Sequence, residues 1–380
     1  MKIAIDIAAI SKDGSAGGIT GLALELIKGF AEKAEVLALC THANIDFLRT
    51  VLPQKVELEC IDSERKKDGA NIVGRIIERI RQSRNVKHIL KRWKADILYC
   101  PFGVVNFRVR GIETISTILD IQHEFYSEFF SKKEFWARRL LYGSIARRAK
   151  CVICISEYTK ETFCDKYKYP KEKAKVVYIA IQNRFKECDD SIFEKLDISK
   201  QDYILYPANF WQHKNHKRLI DAFSQFAKKR NKIKLVLTGN MFSQYERLQE
   251  YTSKNNMKDR VVVAGYIDEA QLYSLMKNCK GLIFPSLFEG FGIPVVEAMQ
   301  LYKPIACSNT TSLPEIGCDS IFYFDPKNIG GIIKGLEFIS DTKVTDDMIN
   351  DYNTNLKKYD RENMIENYIN IFSQITDKRS

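Results

Sequence analysis

Short apolar runs alternate with longer helical patterns along this whole chain, and few folds accept such a sequence. A strand apolar on both sides, followed by a helix that carries the chain back to its starting edge, is the unit of a parallel sheet covered by helices on both faces. In the first half the expected strands are Lys2 to Ile7, Val36 to Cys40, Val56 to Cys60, Ile97 to Cys100, Thr114 to Leu119, Cys151 to Ile155 and Lys175 to Tyr178. The second half repeats the scheme with Tyr203 to Pro207, Ile233 to Thr238, Val261 to Ala264, Gly281 to Phe284, Pro304 to Cys307 and Ile321 to Phe324. Between the halves, residues 181–200 are polar and charged with little periodicity, which places a linker at 182–200. A chain of 380 residues exceeds what one core supports, and 45% hydrophobic residues suffice for two. The fold class is therefore α/β, with two doubly wound parallel sheets and a last helical stretch from Arg361 to Ile375.

The densest chemistry lies in Pro285 to Met299, PSLFEGFGIPVVEAM. A buried strand ends at Phe284, Gly290 and Gly292 permit a tight turn, and Pro294, which has no N–H, suits the first helical position. The helix that follows directs its unpaired N–H groups and positive dipole end at the turn, as a pyrophosphate requires. Glu297, one turn inside, can accept hydrogen bonds from ribose hydroxyls, and Glu289, before the turn, can reach a sugar.

This stretch resembles the donor-site signature of the retaining family 4 glycosyltransferases, which have the GT-B fold. The likeness extends from VVVAGYIDEAQLYSLMKNCKGLIFPSLFEGFGIPVVEAM, starting at Val261, through KPIACSNTTSLPEIGCDSIFYFDP. It implies two Rossmann-like domains facing across a cleft: residues 1–182 binding the acceptor, with helix 360–380 packed back on them, and residues 183–359 binding the nucleotide sugar. It implies that Glu289 contacts the donor sugar and Glu297 the ribose, with Gly290, Phe291, Gly292, Ile293 and Pro294 lining the phosphates and Gly265, Tyr266 and Ile267 bordering the base. The reaction implied is transfer of a mannose-like or glucose-like hexose from a nucleotide-diphosphate sugar, with retention, to a growing bacterial glycan on a polyprenyl diphosphate. A sugar-nucleotide epimerase of the same fold is the alternative.

Three further loops follow strand ends. Ala9 to Thr20 carries Gly14, Gly17 and Gly18 and resembles the family's glycine loop against the phosphates or the acceptor. After Pro207 comes ANFWQHKNHKRL, in which Lys214 matches the lysine that neutralises the leaving diphosphate. The family's arginine partner is replaced by Asn209, leaving Lys217, Arg218 or a protonated His213 as substitute cations. His213 and His216 are spaced for a metal but have no third ligand nearby in sequence, and no Asp-x-Asp motif occurs, so neither metal nor cofactor is expected. After Thr114 to Leu119 comes DIQHEFYSEFF: Leu119 stands where the family often places a histidine, and Asp120 and His123 are the catalytic candidates, His123 alternatively only packing the loop.

A net charge of +11 is concentrated in part on Arg75, Arg79, Arg81, Arg84, Lys87, Lys91, Arg92 and Lys94. With the apolar residues between them these form either one membrane-surface helix or two shorter helices packed on the first sheet. A second cluster, Arg138, Arg139, Arg147 and Arg148, adds to the attraction for an anionic membrane. Basic residues without interleaved aromatics exclude a nucleic-acid partner. Ten cysteines without a paired metal spacing indicate a reducing compartment, and the short start IAIDIAAI, with Asp6 inside it, reads as a strand and not a leader. The expected location is the cytoplasm, at the inner face of the plasma membrane.

Overall fold

The computed structural model describes residues 1–12, 18–62, 72–103, 105, 107, 109–181, 185–240, 245–254 and 257–377, with backbone alone at 18, 72–80 and 245–247. The chain divides into two units, Met1–Ala180 with Arg361–Ser380, and Ile181–Asp360.

The first unit is built on a seven-stranded sheet of β1 (Lys2–Asp6), β2 (Glu35–Cys40), β3 (Glu57–Cys60), β4 (Ile97–Cys100), β5 (Glu113–Ile118), β6 (Cys151–Cys154) and β7 (Ala174–Val176). All pairings are parallel, in the order β3-β2-β1-β4-β5-β6-β7. Strands β4 and β6 are buried at every position, as their unbroken apolar runs require. The helix Arg361–Asp377 belongs to this unit although it follows the second unit in sequence. Its Tyr368 and Phe372 enter an aromatic cluster with Phe30 and Tyr99, ring centroids 5.4–6.0 Å apart. Tyr99 Oη lies 2.6 Å from Thr117 Oγ1 and donates to Tyr368 Oη at 3.4 Å, so the buried hydroxyls satisfy one another. At the helix start Arg361 reaches Glu25 and Glu32, each at 3.3 Å.

Residues Ile72–Trp93 form one helix, which settles the choice between one and two. Val86, Ile89 and Leu90 are at most 3% exposed within the unit's core, while Arg81, Arg84, Lys87, Lys91 and Arg92 are exposed. The apolar stripe over this part of the helix is thus spent on the protein and is not available to lipid. The side chains of Arg75 and Arg79 lie outside the described residues.

The second unit carries β8 (Tyr203–Pro207), β9 (Lys234–Thr238), β10 (Val261–Gly265), β11 (Gly281–Phe284), β12 (Ile305–Ser308) and β13 (Phe322–Phe324). They pair in parallel in the order β10-β9-β8-β11-β12-β13. The order reverses between β8 and β11, so the loops leaving these adjacent strands diverge and open a crevice at their carboxyl ends. The strand boundaries differ from expectation by one residue at most positions; Tyr178 lies two beyond β7, where Val177 N–H still bonds Cys154 O at 3.0 Å.

Candidate active site

The loops after β8 and β11 are bolted together by backbone and side chain. Leu287 N–H donates to His213 O at 2.7 Å, and Tyr206 Oη, at the end of β8, donates to Lys214 O at 2.7 Å and lies 3.1 Å from Ser286 Oγ. Asn215 completes the joint: its Nδ2 donates to Pro285 O at 3.0 Å and to Pro326 O at 2.8 Å, and its Oδ1 accepts from Arg218 at 2.6 Å. Its φ of 62° lies in the left-handed region that asparagine tolerates better than most residues, and that turn starts the helix His216–Ala227. Sequence reasoning passed over Asn215; an asparagine between a basic turn and a helix was the available signal.

Held by this joint, Lys214 Nζ donates to Glu289 Oε1 at 2.6 Å and lies 5.5 Å from the centre of the Phe284 ring. The two side chains are 16% and 12% exposed, so the pair is charged, short and largely out of water. Residues 75 positions apart that were chosen separately in the sequence are thus in direct contact. Behind them Glu289 N–H donates to Thr311 Oγ1 at 3.2 Å, and Ser312 Oγ contacts the carbonyls of Glu289 and Phe291, both at 3.0 Å. Thr311 and Ser312 fix the turn and were also missed.

The turn leads into the helix Ile293–Gln300. Gly292 caps it at φ 113°, and a Cβ there would meet Leu313 Cδ2 at 2.6 Å, so both backbone and space demand glycine. Pro294 is the second helical residue, one later than expected, because Gly292 and not Ile293 is the cap. Val295 N–H is taken by Gly292 O at 2.9 Å, which narrows the amides that can face a phosphate. Gly290, Ile293 and Pro294 are half-buried, Phe291 is buried, and Glu297 is only 2% exposed on the helix.

The expected substitute cations fare unequally. His213 is neutral near pH 7, since burial pushes its pKa down to about 3, and Lys214 beside it adds to the effect. His216 is held at about 3 for the same reasons, with its ring stacked on Phe210 at 4.4 Å. The shift at His213 counts against its protonated form as the substitute cation. Among the described residues, neither histidine is grouped with further metal-ligating side chains. Asn209 Oδ1 accepts from Asn240 N–H at 2.8 Å and so ties two loops together instead of presenting charge. Lys217 lies over the Tyr251 ring at 4.9 Å. Gly265 ends β10 at φ 70°, followed by an exposed Tyr266, 78% accessible, and a half-buried Ile267.

In the first unit Gly18 opens the helix Gly18–Lys33, while Gly14 and Gly17 lie outside the described residues. Asp120 is half-buried, and its Oδ1 accepts from Gln122 N–H at 3.0 Å. His123 is fully buried, ringed by Tyr142, Phe130 and Phe135 with centroids 5.1–6.4 Å away. Its Nε2 lies 2.9 Å from Tyr167 Oη, which in turn donates to Glu124 at 2.8 Å. Burial lowers its pKa to about 4. The packing role weighed for His123 fits these contacts, and the ring presents no accessible surface in this structure.

Two family profiles match nearly the whole chain: residues 16–182 match Glycosyltransferase Family 4, and residues 189–362 match Glycosyl transferases group 1. The chain belongs to the group 1, family 4 glycosyltransferases. This glycosyltransferase is 24% identical over 335 residues to the O-antigen chain mannosyltransferase B of Escherichia coli, covering 83% of this chain and 84% of that protein. It is also 24% identical to the O-antigen chain mannosyltransferase RfbU of Salmonella typhimurium, over 95% of this chain and 96% of that one. Among solved structures, the Anabaena protein HepE in complex with UDP and glucose aligns with TM-score 0.73 at 18% identity, over 98% of this chain and 100% of that one. The sucrose-phosphate synthase of Thermosynechococcus elongatus aligns with TM-score 0.76 at 15% identity over the whole of both. The fold is GT-B, and the profile matches, both to transferases, do not favour the epimerase alternative.

Proposed function

We propose that this glycosyltransferase moves a hexose, mannose in the first instance, from a nucleotide-diphosphate sugar to a growing lipid-linked glycan of a bacterial surface polysaccharide, with retention and without a metal. The observation that carries this reading is the Lys214–Glu289 pair at the β8/β11 switch point, beside a glycine-capped helix. Leaving-group charge develops on the diphosphate as the glycosidic bond breaks, and a fixed ammonium plus a helix N-terminus stabilise that charge more than the ground state. Lys214 supplies the first, and the helix Ile293–Gln300 the second. Glu289 holds the sugar and orients Lys214, Glu297 takes the ribose, and exposed Tyr266 offers a face to the base. With retention, the departing oxygen can take the acceptor proton, so no strong protein base is needed. In the first unit Gly18 is the candidate toward the donor phosphates or the acceptor, and Asp120 the catalytic candidate. The names of the two mannosyltransferase relatives support mannose and an O-antigen-type product.

Membrane attachment, in this reading, uses the helix Lys132–Arg148. Trp136 and Leu140, one turn apart, are 56% and 68% exposed, and Lys132, Lys133, Arg138 and Arg139 around them are exposed. An indole and an isobutyl group flanked by cations suit an anionic lipid surface. Among the described residues no helix is long and apolar enough to cross a membrane. The location proposed is the cytoplasmic face of the plasma membrane.

The test is a thermal-shift panel of UDP, GDP, ADP and their sugars, followed by transfer assays reading the anomeric configuration of the product by NMR. A ligand that binds only the folded chain raises its melting point. Glu289→Gln should keep nucleotide binding while losing transfer, and Glu297→Ala should weaken binding itself. Equal loss of binding in both would refute the separate roles.

A further inference from the structure

At the edge of the first sheet, β2 ends at Cys40 and β3 at Cys60, and the two are paired directly across the parallel ladder. His42, two beyond Cys40, and Asp62, two beyond Cys60, lie just past the strand ends, where His42 Nδ1 meets Asp62 Oδ1. Cys-Thr-His and Cys-Ile-Asp, twenty residues apart, form one constellation that neither segment reveals alone.

We propose that Cys40, Cys60, His42 and Asp62 bind a thiophilic divalent cation, zinc by preference, that clamps the edge strand β3 to β2. The spacing suits a tetrahedral ion. Metal–sulfur bonds of about 2.3 Å at tetrahedral angles put two sulfurs about 3.8 Å apart, and Cys40 Sγ and Cys60 Sγ lie 3.8 Å apart. His42 Nδ1 is 2.8 Å from Asp62 Oδ1, a hydrogen bond. Metal bonds of about 2.0–2.1 Å to N and O ask for about 3.3 Å between them, so a shift of about half an ångström lets an ion replace the shared proton. The ligand atoms of His42, Cys60 and Asp62 all lie within 4.8 Å of one another; Cys40 stands outside that group and is joined to it through its 3.8 Å contact with Cys60 Sγ.

The frame around them is already tied. His42 N–H donates to Asp62 Oδ1 at 3.0 Å, Ile61 N–H to Cys40 O at 2.9 Å, and Asn85 Nδ2 to the carbonyls of Cys60 and Ile61, each at 3.4 Å. Two thiolates and a carboxylate around a dication leave one net negative charge, and Arg49 is near enough to act on Cys60. A cysteine binds a metal as its thiolate, so each thiol gives its proton to solvent as its sulfur takes the metal. Binding therefore releases protons and strengthens as pH rises. The site lies in a different unit from Lys214 and Glu289, and the clamp is structural.

The experiment uses the full chain, reduced and stripped by chelator, titrated with Co²⁺ and then Zn²⁺. The expected result is a thiolate-to-cobalt charge-transfer band that saturates at one equivalent and is abolished by zinc. Cys60→Ser should remove the band, His42→Ala and Asp62→Ala should each weaken binding tenfold or more, and Cys188→Ser should change nothing. Zinc should also slow alkylation of Cys60, located by mass spectrometry, a readout that needs no substitution at either cysteine. No band, a band unchanged in Cys60→Ser, or a Cys40–Cys60 disulfide as the only linkage formed would each overturn the proposal.

Discussion

Asn215 is the best place to measure what holds the candidate site together. In Asn215→Ala, two buried carbonyls lose their donor, at about 1 kcal/mol each net. The alanine must also keep a φ of 62°, at a further 1–2 kcal/mol or so. The expected loss is about 3–4 kcal/mol. Asn215→Gly loses the same bonds without the backbone strain, but glycine's freer unfolded chain returns about 0.5–1 kcal/mol of cost, giving about 2.5–3 kcal/mol. Urea unfolding followed by circular dichroism reads the stability, and nucleotide affinity reads the site. Both variants should bind nucleotide more weakly, because Asn215 ties the turn bearing Lys214 to the strand end preceding Glu289. Losses below about 1 kcal/mol in both, or unchanged affinity at full stability loss, would refute this account of the joint.

Other expectations are as direct. Lys214→Ala should lower kcat by at least a hundredfold, with a smaller change in nucleotide affinity, if the ammonium acts on the departing diphosphate; steady-state kinetics decides. Gly292→Ala should destabilise by about 1–3 kcal/mol, measured by denaturation, since alanine at φ 113° is strained and its methyl meets Leu313. The unfolded chain takes up a proton on His216 near the ordinary value of 6.5, whereas the folded chain refuses it until about 3. Stability is therefore complete above pH 6.5 and falls as pH drops toward 3. His216→Phe, which keeps a ring on Phe210, should remove up to about 1.4 kcal/mol per pH unit of that slope. Trp136→Ser with Leu140→Ser should weaken sedimentation with anionic vesicles and leave neutral vesicles unaffected.

The sheets were legible because a strand buried on both faces leaves an unbroken apolar run, as Ile97–Cys100 and Gly281–Phe284 do. The turn from Glu289 to Pro294 was legible too, because glycine and proline report backbone geometry directly. What escaped depended on partners distant in sequence. His123 carries no local sign that Tyr167, Glu124 and Tyr142 enclose it, and Asn215 owes its importance to carbonyls 70 and 111 residues away. The cysteines carry no paired metal spacing along the chain, because Cys40 and Cys60 meet only across a ladder. The basic stretch 75–94 left two readings open, a membrane-surface helix or packing on the first sheet, because an apolar stripe does not say what covers it; over residues 81–93 the core takes Val86, Ile89 and Leu90.

The helix Arg361–Asp377 leaves the ribosome after the whole second unit yet belongs with residues made before it. Until it arrives, Phe30 and Tyr99 lack the rings of Tyr368 and Phe372 against which they finally close. At about 5–20 residues per second, translating from Ala180 to Asp377 takes on the order of 10–40 s, time enough for the second unit to finish ahead of the first. The half-built first unit is then the species that a chaperone must shield, and a nascent chain stopped at residue 360 should aggregate through that bare aromatic face.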